Sequence, residues 1–307
     1  MKLAFISDTH LLIDRPRARL DNASDTVFKK LEWVFQYCAG EQIDPLVLAG
    51  DITDKPRSWH LLPKVSDLLA RYNHAVFTYC IYGQHDLYMY SEETKHATIL
   101  GELSSSGIVE ILGEEPEGFE ENISLYGCSI GREIPKVKNK KNINILVIHA
   151  PIAEKALWHN HKYLDAKKFL KEHKDYDLIV CGDIHRKFLI KQERRIILNT
   201  GPLIRKSADE YNFKYKPCFA VYDTETRNAE FVEVPHKPAE EVLSRDHIET
   251  EEIKEELLTE FTNALDSDIE LDMEFTENLE TFIKENNIEE AVADLIALEL
   301  SDMENVL

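Results

Sequence analysis

Nowhere in the 307 residues does an uninterrupted apolar stretch approach the roughly 18 residues that a membrane helix requires. The start of the chain lacks the basic, apolar, small-residue order of a secretory leader. Met1 and Lys2 run straight into the short segment Leu3 to Ile6, so no signal peptide is expected. Cysteine is scarce: Cys38, Cys80, Cys128, Cys181 and Cys218 are odd in number, far apart and mostly inside apolar runs. That excludes a disulfide framework as the organising device and fits a reducing cytoplasm. Internal repeats and low-complexity segments are absent. Basic charge is also short, 36 Lys and Arg against 57 Asp and Glu, which taken whole argues against a polyanionic partner. The deficit is local, however. From Ala239 to Leu307 there are 23 acidic and 3 basic residues, leaving 34 acids and 33 bases in the preceding body. A nearly neutral body that gains divalent cations is open to a phosphate backbone. What is present, 43% hydrophobic and 30% charged residues, is that of a globular protein able to bury one substantial core beside a smaller appendage.

The body reads as short, β-branched apolar runs separated by helical or loop stretches. Strands are predicted at Lys2 to Ser7, Pro45 to Ala49, Ala75 to Ile81, Ile108 to Leu112, Ser124 to Cys128, Asn144 to Ile148 and Leu178 to Cys181. After Asp183 strands follow one another with little helix between them. Val27, Leu31, Val34, Phe35 and Cys38 recur at helical spacing, with Ser24 or Asp25 as the expected cap. Strand–helix–strand order early and hairpins late predict a layered α/β body with a mixed sheet or two packed sheets. Pro235 to Pro238 reads as a linker, dividing residues 1–236 from an acidic tail of residues 237–307. In that tail Ile253, Leu257, Leu258, Phe261 and Leu265 mark one amphipathic helix, and the Leu279 and Val292 regions mark two more. They form either a solvated helical cap or a partner-docking element.

The chemistry-bearing residues sit where strands end. The first predicted strand closes in Asp8-Thr9-His10, the second in Gly50-Asp51-Ile52-Thr53-Asp54, and the third in Gly83-Gln84-His85-Asp86. Later ones close in His149-Ala150-Pro151 and Gly182-Asp183-Ile184-His185. An isolated Asp-Thr-His is more often a turn than a ligand pair. Five such endings in one topological sense point instead to the crevice beyond strand carboxyl ends, where α/β sheets assemble their sites. Oxygen and imidazole ligands suit Mn²⁺, Fe²⁺ or Zn²⁺ better than Ca²⁺.

As a set, DTH, GDITD, GQHD, HAP and GDIH resemble the motifs DxH, GDxxD, GNHD, an isolated His and GHxH of the calcineurin-like metallophosphoesterases, over about residues 1–234. The resemblance implies a two-sheet sandwich flanked by helices, four layers in all, with a dinuclear site at its strand ends. By position, Asp8, His10 and His185 resemble ligands of a first metal and Asp51 the bridging carboxylate. Gln84, His149 and Asp183 fall on the second metal. Gln84 replaces the family's Asn and Asp183 its His, which makes the second site harder and more anionic and tilts it toward Mn²⁺ or Mg²⁺. His85 resembles the catalytic general acid, with Asp86 either orienting it or stabilising the turn. His159 and His161 are further candidates for substrate contacts.

Within the superfamily, GDITDKPRSW and the Asn199 to Asp209 stretch resemble the DNA-repair branch of SbcD-type exonuclease subunits. Nine basic residues between Arg186 and Lys216, against three acids, offer a track for a phosphate backbone. Arg57, Arg186, Lys187 and Arg205 are the expected DNA contacts. The resemblance implies a Mn²⁺-dependent DNA nuclease, with Mg²⁺ or Fe²⁺ as the other metals. Its expected partners are an SMC-like ATPase gripped by the tail and a second copy of the chain; no membrane partner is expected. A stand-alone small-molecule phosphodiesterase or phosphatase, and a catalytically weakened scaffold, remain the alternatives.

Overall fold

The computed structural model describes residues 1–119, 122–158 and 160–245. The expected tail helices, and His159, lie outside the described residues. The chain begins with β1 (Lys2–Ile6), α1 (Ala23–Gly40), β2 (Leu46–Leu48), α2 (Leu61–Tyr72), β3 (Thr78–Cys80), α3 (Ile99–Ser105) and β4 (Glu110–Ile111). It continues through β5 (Glu117–Phe119), β6 (Ile123–Cys128), β7 (Ile143–His149), β8 (Ile152–Ala153), β9 (Leu164–Asp165), α4 (Ala166–Glu172) and β10 (Leu178–Gly182). It closes with β11 (Phe188–Gln192), β12 (Arg195–Asn199), α5 (Glu210–Lys214), β13 (Cys218–Asp223), β14 (Asn228–Glu233) and α6 (Ala239–Val242).

Two six-stranded mixed sheets result, ordered β14-β13-β1-β2-β3-β4 and β11-β12-β10-β7-β6-β5. In the first, β1, β2 and β3 run parallel and β13 pairs antiparallel to β1. In the second, β6, β7, β10 and β12 are parallel. The parallel strands are covered on both faces, which is why they read as continuous apolar runs rather than alternating ones. Period-two geometry then divides each run. Leu3 and Phe5 of β1 meet Ile145 and Val147 of β7 and Leu178 and Val180 of β10 between the sheets. Ala4 and Ile6 face outward into the layer built by α1, α2 and α3. Leu146 and Ile148 face outward against Phe169 and Leu170 of α4. The order of layers is helix, sheet, sheet, helix. The parallel strands β1, β2 and β3, and β7 and β10, deliver their carboxyl ends to one site.

In α1 the buried Val27, Leu31, Val34, Phe35 and Cys38 form the stripe expected from their spacing. Its cap is neither Ser24 nor Asp25 but Asn22, whose side chain accepts from the Asp25 amide at 3.1 Å. Ser24 is buried within the first turn and Asp25 supplies the donor. The compact unit runs from Met1 to Arg245, so α6 belongs to it. There the Leu20 amide donates to Val242 O and the Ser244 amide to Ala18 O, lacing this segment onto the start of the chain. The five cysteines are all free and buried, and among the described residues no helix is long and apolar enough to cross a membrane.

Replacing Asn22 with Ala should cost about 1 kcal/mol, the usual worth of an N-cap. Thermal denaturation followed by circular dichroism should show the lower melting temperature without loss of helix content at low temperature.

Candidate metal centre

Every strand-end motif converges. Asp8 and His10 follow β1, Asp51 follows β2, Gln84 and His85 follow β3, His149 ends β7, and Asp183 and His185 follow β10. His10 Nε2 and His185 Nε2 stand 2.9 Å apart, close to the separation of about 3 Å for two ligands at right angles around one ion at roughly 2.1 Å. Asp8 lies on the same point, its Oδ1 3.7 Å from His185 Nε2. Asp51 spans two points: Oδ2 is 3.8 Å from His10 Nε2 and Oδ1 is 3.6 Å from His149 Nε2. Ligating atoms of Asp8, His10 and His185, and of Asp8, Asp51 and His149, each lie within 4.8 Å of one another.

The residues fit a pair of cations on their own hydrogen-bond accounting. Asp8 Oδ2 and Asp51 Oδ2 are buried with no hydrogen-bond partner among the described residues. His149 Nδ1 donates to Ala49 O at 2.7 Å, which leaves Nε2 as a bare lone pair, and that lone pair faces Gln84 Oε1 at 2.7 Å. No proton lies between two acceptors. Turning the Gln84 amide over would only set its oxygen against Asp183 Oδ1, where its nitrogen now donates at 2.7 Å. A cation on the Gln84 and His149 lone pairs resolves the conflict. The two departures from the family's motifs therefore touch one another: the extra methylene of Gln84 carries its amide nitrogen to the carboxylate that replaces an imidazole.

The backbone is bent to present these groups. Asp8, His10, Asp51 and Asp183 all have positive φ, at 51°, 44°, 50° and 94°, conformations that non-glycine residues adopt at a cost of order 1–3 kcal/mol each. They are held there. His10 N donates to Asp51 O, Asp183 N to Asp8 Oδ1, and His85 N to Asp51 Oδ1. Gly83 is required by close approach, since a Cβ there would sit 2.2 Å from Asp51 Oδ1.

Asp86, expected to orient His85 or hold the turn, does the second. Its buried carboxylate accepts from the amides of Ile52, Thr53 and Gly83, clamping the second motif to the third. The ring of His85 is held instead by Nδ1 against Asp54 O at 3.2 Å. Asp54 and Lys206 had no assigned role in the sequence. Asp54 Oδ1 lies 3.5 Å from His10 Nδ1 and also pairs with Lys206. Burial works to raise the Asp54 carboxyl, but His10 and Lys206 outweigh it and hold it well below the usual carboxylate range. A carboxylate behind a ligating imidazole fixes its orientation and tautomer. The signal for Asp54 was its place in GDITD; for Lys206 there was only its position in a basic run.

Of the expected DNA contacts, Arg57 is exposed, its guanidinium 3.8 Å over the Tyr88 ring. Arg186 lies 4.0 Å over Tyr211 and pairs with Asp209 at 3.7 Å, and Lys187 is exposed beside it. Arg205 does not face the metal ligands. It is 2% exposed and donates to Lys237 O; a basic residue in a basic run reads as surface unless tertiary packing is known. His161 stacks on Tyr163 and lies tilted against Trp158.

A family model for calcineurin-like phosphoesterases matches residues 1–187, and the chain belongs to that family of metal-dependent hydrolases with a dinuclear centre. No curated protein matches the chain. Among solved structures, an archaeal phosphodiesterase is 13% identical at a TM-score of 0.42, covering 76% of this chain and 100% of its own. A dimetal phosphatase from Danio rerio is 12% identical at 0.47, covering 72% and 91%. Phosphopantetheinyl hydrolase from Mycobacterium tuberculosis is 11% identical at 0.43, covering 67% and 90%. None of these likenesses separates the DNA-repair branch from its relatives.

Burial, then the Asp51 charge, raises the Asp8 carboxyl well above its ordinary value. Burial lifts Asp51 to about 6 and, with the Asp51 charge, Asp86 to about 7, from 3.8. Burial also depresses His10 and His149, and with the Lys206 charge brings His185 to about 4, from 6.5. The carboxyls bind more protons folded than unfolded, so they withdraw stability as pH rises from about 4 through about 7. The imidazoles bind fewer, so they add stability up to about pH 6.5 and nothing above it. In EDTA the melting temperature should therefore peak near pH 6 and fall by pH 8. Mn²⁺, which binds the deprotonated ligands, should raise it most at pH 8, as differential scanning fluorimetry would show.

The Gln84–Asp183 contact makes a second prediction. Gln84→Asn alone should weaken the second metal equivalent by about tenfold, while Gln84→Asn combined with Asp183→His should recover most of the loss. Metal titration calorimetry checks the non-additivity.

Proposed function

We propose that the chain is a metal-dependent phosphodiesterase that cleaves DNA, working as the nuclease subunit beside an SMC-like ATPase. The observation that carries this reading is a set of exposed aromatic side chains on the loops that leave the ligand-bearing strand ends. Trp59, 88% exposed, follows the Asp51 motif; Tyr88 and Tyr90 follow His85; Trp158, 61% exposed, follows His149. Arg57, stacked on Tyr88 and donating to Ala97 O, ties the first two loops together. Unstacked bases pack on such faces without regard to sequence, each at about 1–3 kcal/mol.

Asp8, His10, Asp51, Gln84, His149, Asp183 and His185 would hold two divalent ions, which would supply an acidified water and positive charge for the phosphate; the anionic Asp183 would favour Mn²⁺ among them. The chain's own residues do the rest. With Nδ1 turned to Asp54 O, His85 offers Nε2 to the departing oxygen and delivers the proton that an alkoxide leaving group needs. Asp54 and Lys206 hold His10 in line, and Asp86 keeps the His85 turn against the Asp51 turn. The rival reading, a small-molecule phosphodiesterase or phosphatase, is supported by how few basic residues stay free to follow a backbone. Arg205 is buried, while Lys191, Lys214 and Lys216 are engaged with Asn228, Glu210 and Glu233.

The purified chain should degrade linear DNA with single-stranded ends in Mn²⁺. His85→Ala should lower the rate about 10²–10⁴-fold with metal content unchanged. Trp59→Ala and Trp158→Ala should raise KM for DNA but not for bis(p-nitrophenyl) phosphate. Rapid hydrolysis of the small ester with DNA left intact would replace this reading with the rival, and failure to hold metal would leave only the scaffold.

A further inference from the structure

Apart from the metal ligands, the described residues enclose a second concentration of charge. A cavity of about 430 Å³ lies between α1, the Leu203–Arg205 stretch and the segment from Pro235 to Val242. Its volume falls within the roughly 300–1,000 Å³ of small-molecule sites. Five basic side chains line it, Arg19, Lys29, Lys30, Arg205 and Lys237, against one carboxylate, Asp21. Three of the five are buried: Arg19 and Arg205 are 2% exposed and Lys30 is 5% exposed. Cations are almost never buried in this way unless paired.

Among the described residues, only Arg19 of the three is in contact with a carboxylate. Arg19 makes a two-point contact with Asp21, through Nε at 2.8 Å and Nη2 at 2.7 Å. Lys30 donates to a neutral carbonyl, Leu203 O at 3.0 Å. Arg205 donates through Nη2 to Lys237 O at 2.5 Å, while its buried Nε has no hydrogen-bond partner among the described residues. Burial, followed by the charges of Arg205 and Arg19, pulls the Lys30 ammonium down to about 7 from 10.5; an anion seated among them would reverse that shift. One wall is aromatic: the half-buried Trp33 lines the same cavity.

We propose that this cavity is a binding site for a phosphate-bearing ligand with an attached planar ring, a nucleoside phosphate in size and chemistry, held by Lys30, Arg205 and Lys29 with the ring on Trp33. Two buried cations with no carboxylate contact among the described residues suit a dianionic phosphate, the Arg205 fork and the Lys30 point charge being the usual donors to one. The site is separate from the metal centre but shares a backbone stretch with it. Leu203 N donates to Asp8 O, while Leu203 O receives Lys30.

Isothermal titration calorimetry on the full chain in EDTA, with AMP, pyrophosphate and inorganic phosphate as probes, tests this. AMP should bind more tightly than inorganic phosphate, and Lys30→Met should weaken it about tenfold or more, the loss of one charged donor. Lys29→Glu, at an exposed position that cannot disturb the core, should also weaken it, and Asp51→Asn at the metal centre should leave it unchanged. No heat with any probe on the wild-type chain would overturn the proposal. So would loss of binding in Asp51→Asn with Lys29→Glu unaffected, since the probe would then be sitting among the metal ligands. Equal affinity for AMP and phosphate would overturn the ring contact with Trp33.

Discussion

The constraint on which the rest of the structure depends is the crowding of lone pairs. Asp8, Asp51, His10 and His149 are fully or almost fully buried and turn their acceptors toward one another. Ionised carboxylates taken out of water without compensation are among the most expensive things a protein can bury. Here the ordinary remedies are only partly used. One oxygen of Asp8 and one of Asp51 accept backbone amides, and the other oxygen of each has no hydrogen-bond partner among the described residues. The shifts of these groups express that burden: acids are driven toward their protonated form and imidazoles toward their neutral form. Divalent cations remove the conflict for both classes together, because they require deprotonated carboxylates and neutral imidazoles.

A centre of this kind needs a rigid frame, and the frame is the pair of sheets. Their inner faces interlock through Phe5, Val47, Val147 and Val180, so strand ends from different sheets cannot drift apart without opening a core. The strain at Asp8, His10, Asp51 and Asp183 is then sustained by hydrogen bonds that run from motif to motif rather than within one. The Asp86 carboxylate is the clearest case: three amides from two strand-end turns meet on one side chain. A residue adjacent in sequence to the proposed acid thus acts on geometry and leaves the proton chemistry to its neighbour.

How much of this was legible in the sequence follows from the range of each interaction. The parallel strands were visible because burial on both faces makes them uniformly apolar, and α1 because its stripe from Val27 to Cys38 holds one period for about three turns. Short strands such as β5, β8 and β9 barely register, since two or three residues carry no period, whereas β4 was legible as the middle of the apolar run from Ile108 to Leu112. The cap of α1 was misplaced because Ser, Asp and Asn all stand near its start, and only the direction of the Asp25 amide chooses Asn22. The ligands were legible because each closes a strand; the support from Asp54 and Lys206 was not, because a pair 152 residues apart has no local signature. Arg205 was misjudged for the same reason. Nothing local distinguishes an arginine that tracks a polyanion from one sealed beside Arg19 and Lys237.

The exchange of an imidazole for Asp183 bears on substrate as well as on metal. Asp8, Asp51 and Asp183 would set three negative charges against the four positive charges of two divalent ions, where two carboxylates would leave one more positive charge for substrate. Lys206 cannot restore it, being paired with Asp54. A centre with less surplus positive charge loses more affinity for a dianionic phosphomonoester than for a monoanionic diester, because the Coulomb term scales with the substrate's charge. The lost attraction must be made up elsewhere, and the exposed rings of Trp59, Tyr88, Tyr90 and Trp158 offer contacts that do not depend on charge. Reduced charge at the ions and exposed rings on the flanking loops together support the proposed polymeric diester with unpaired bases over a small phosphomonoester, which would have less charge to hold it and no bases to stack.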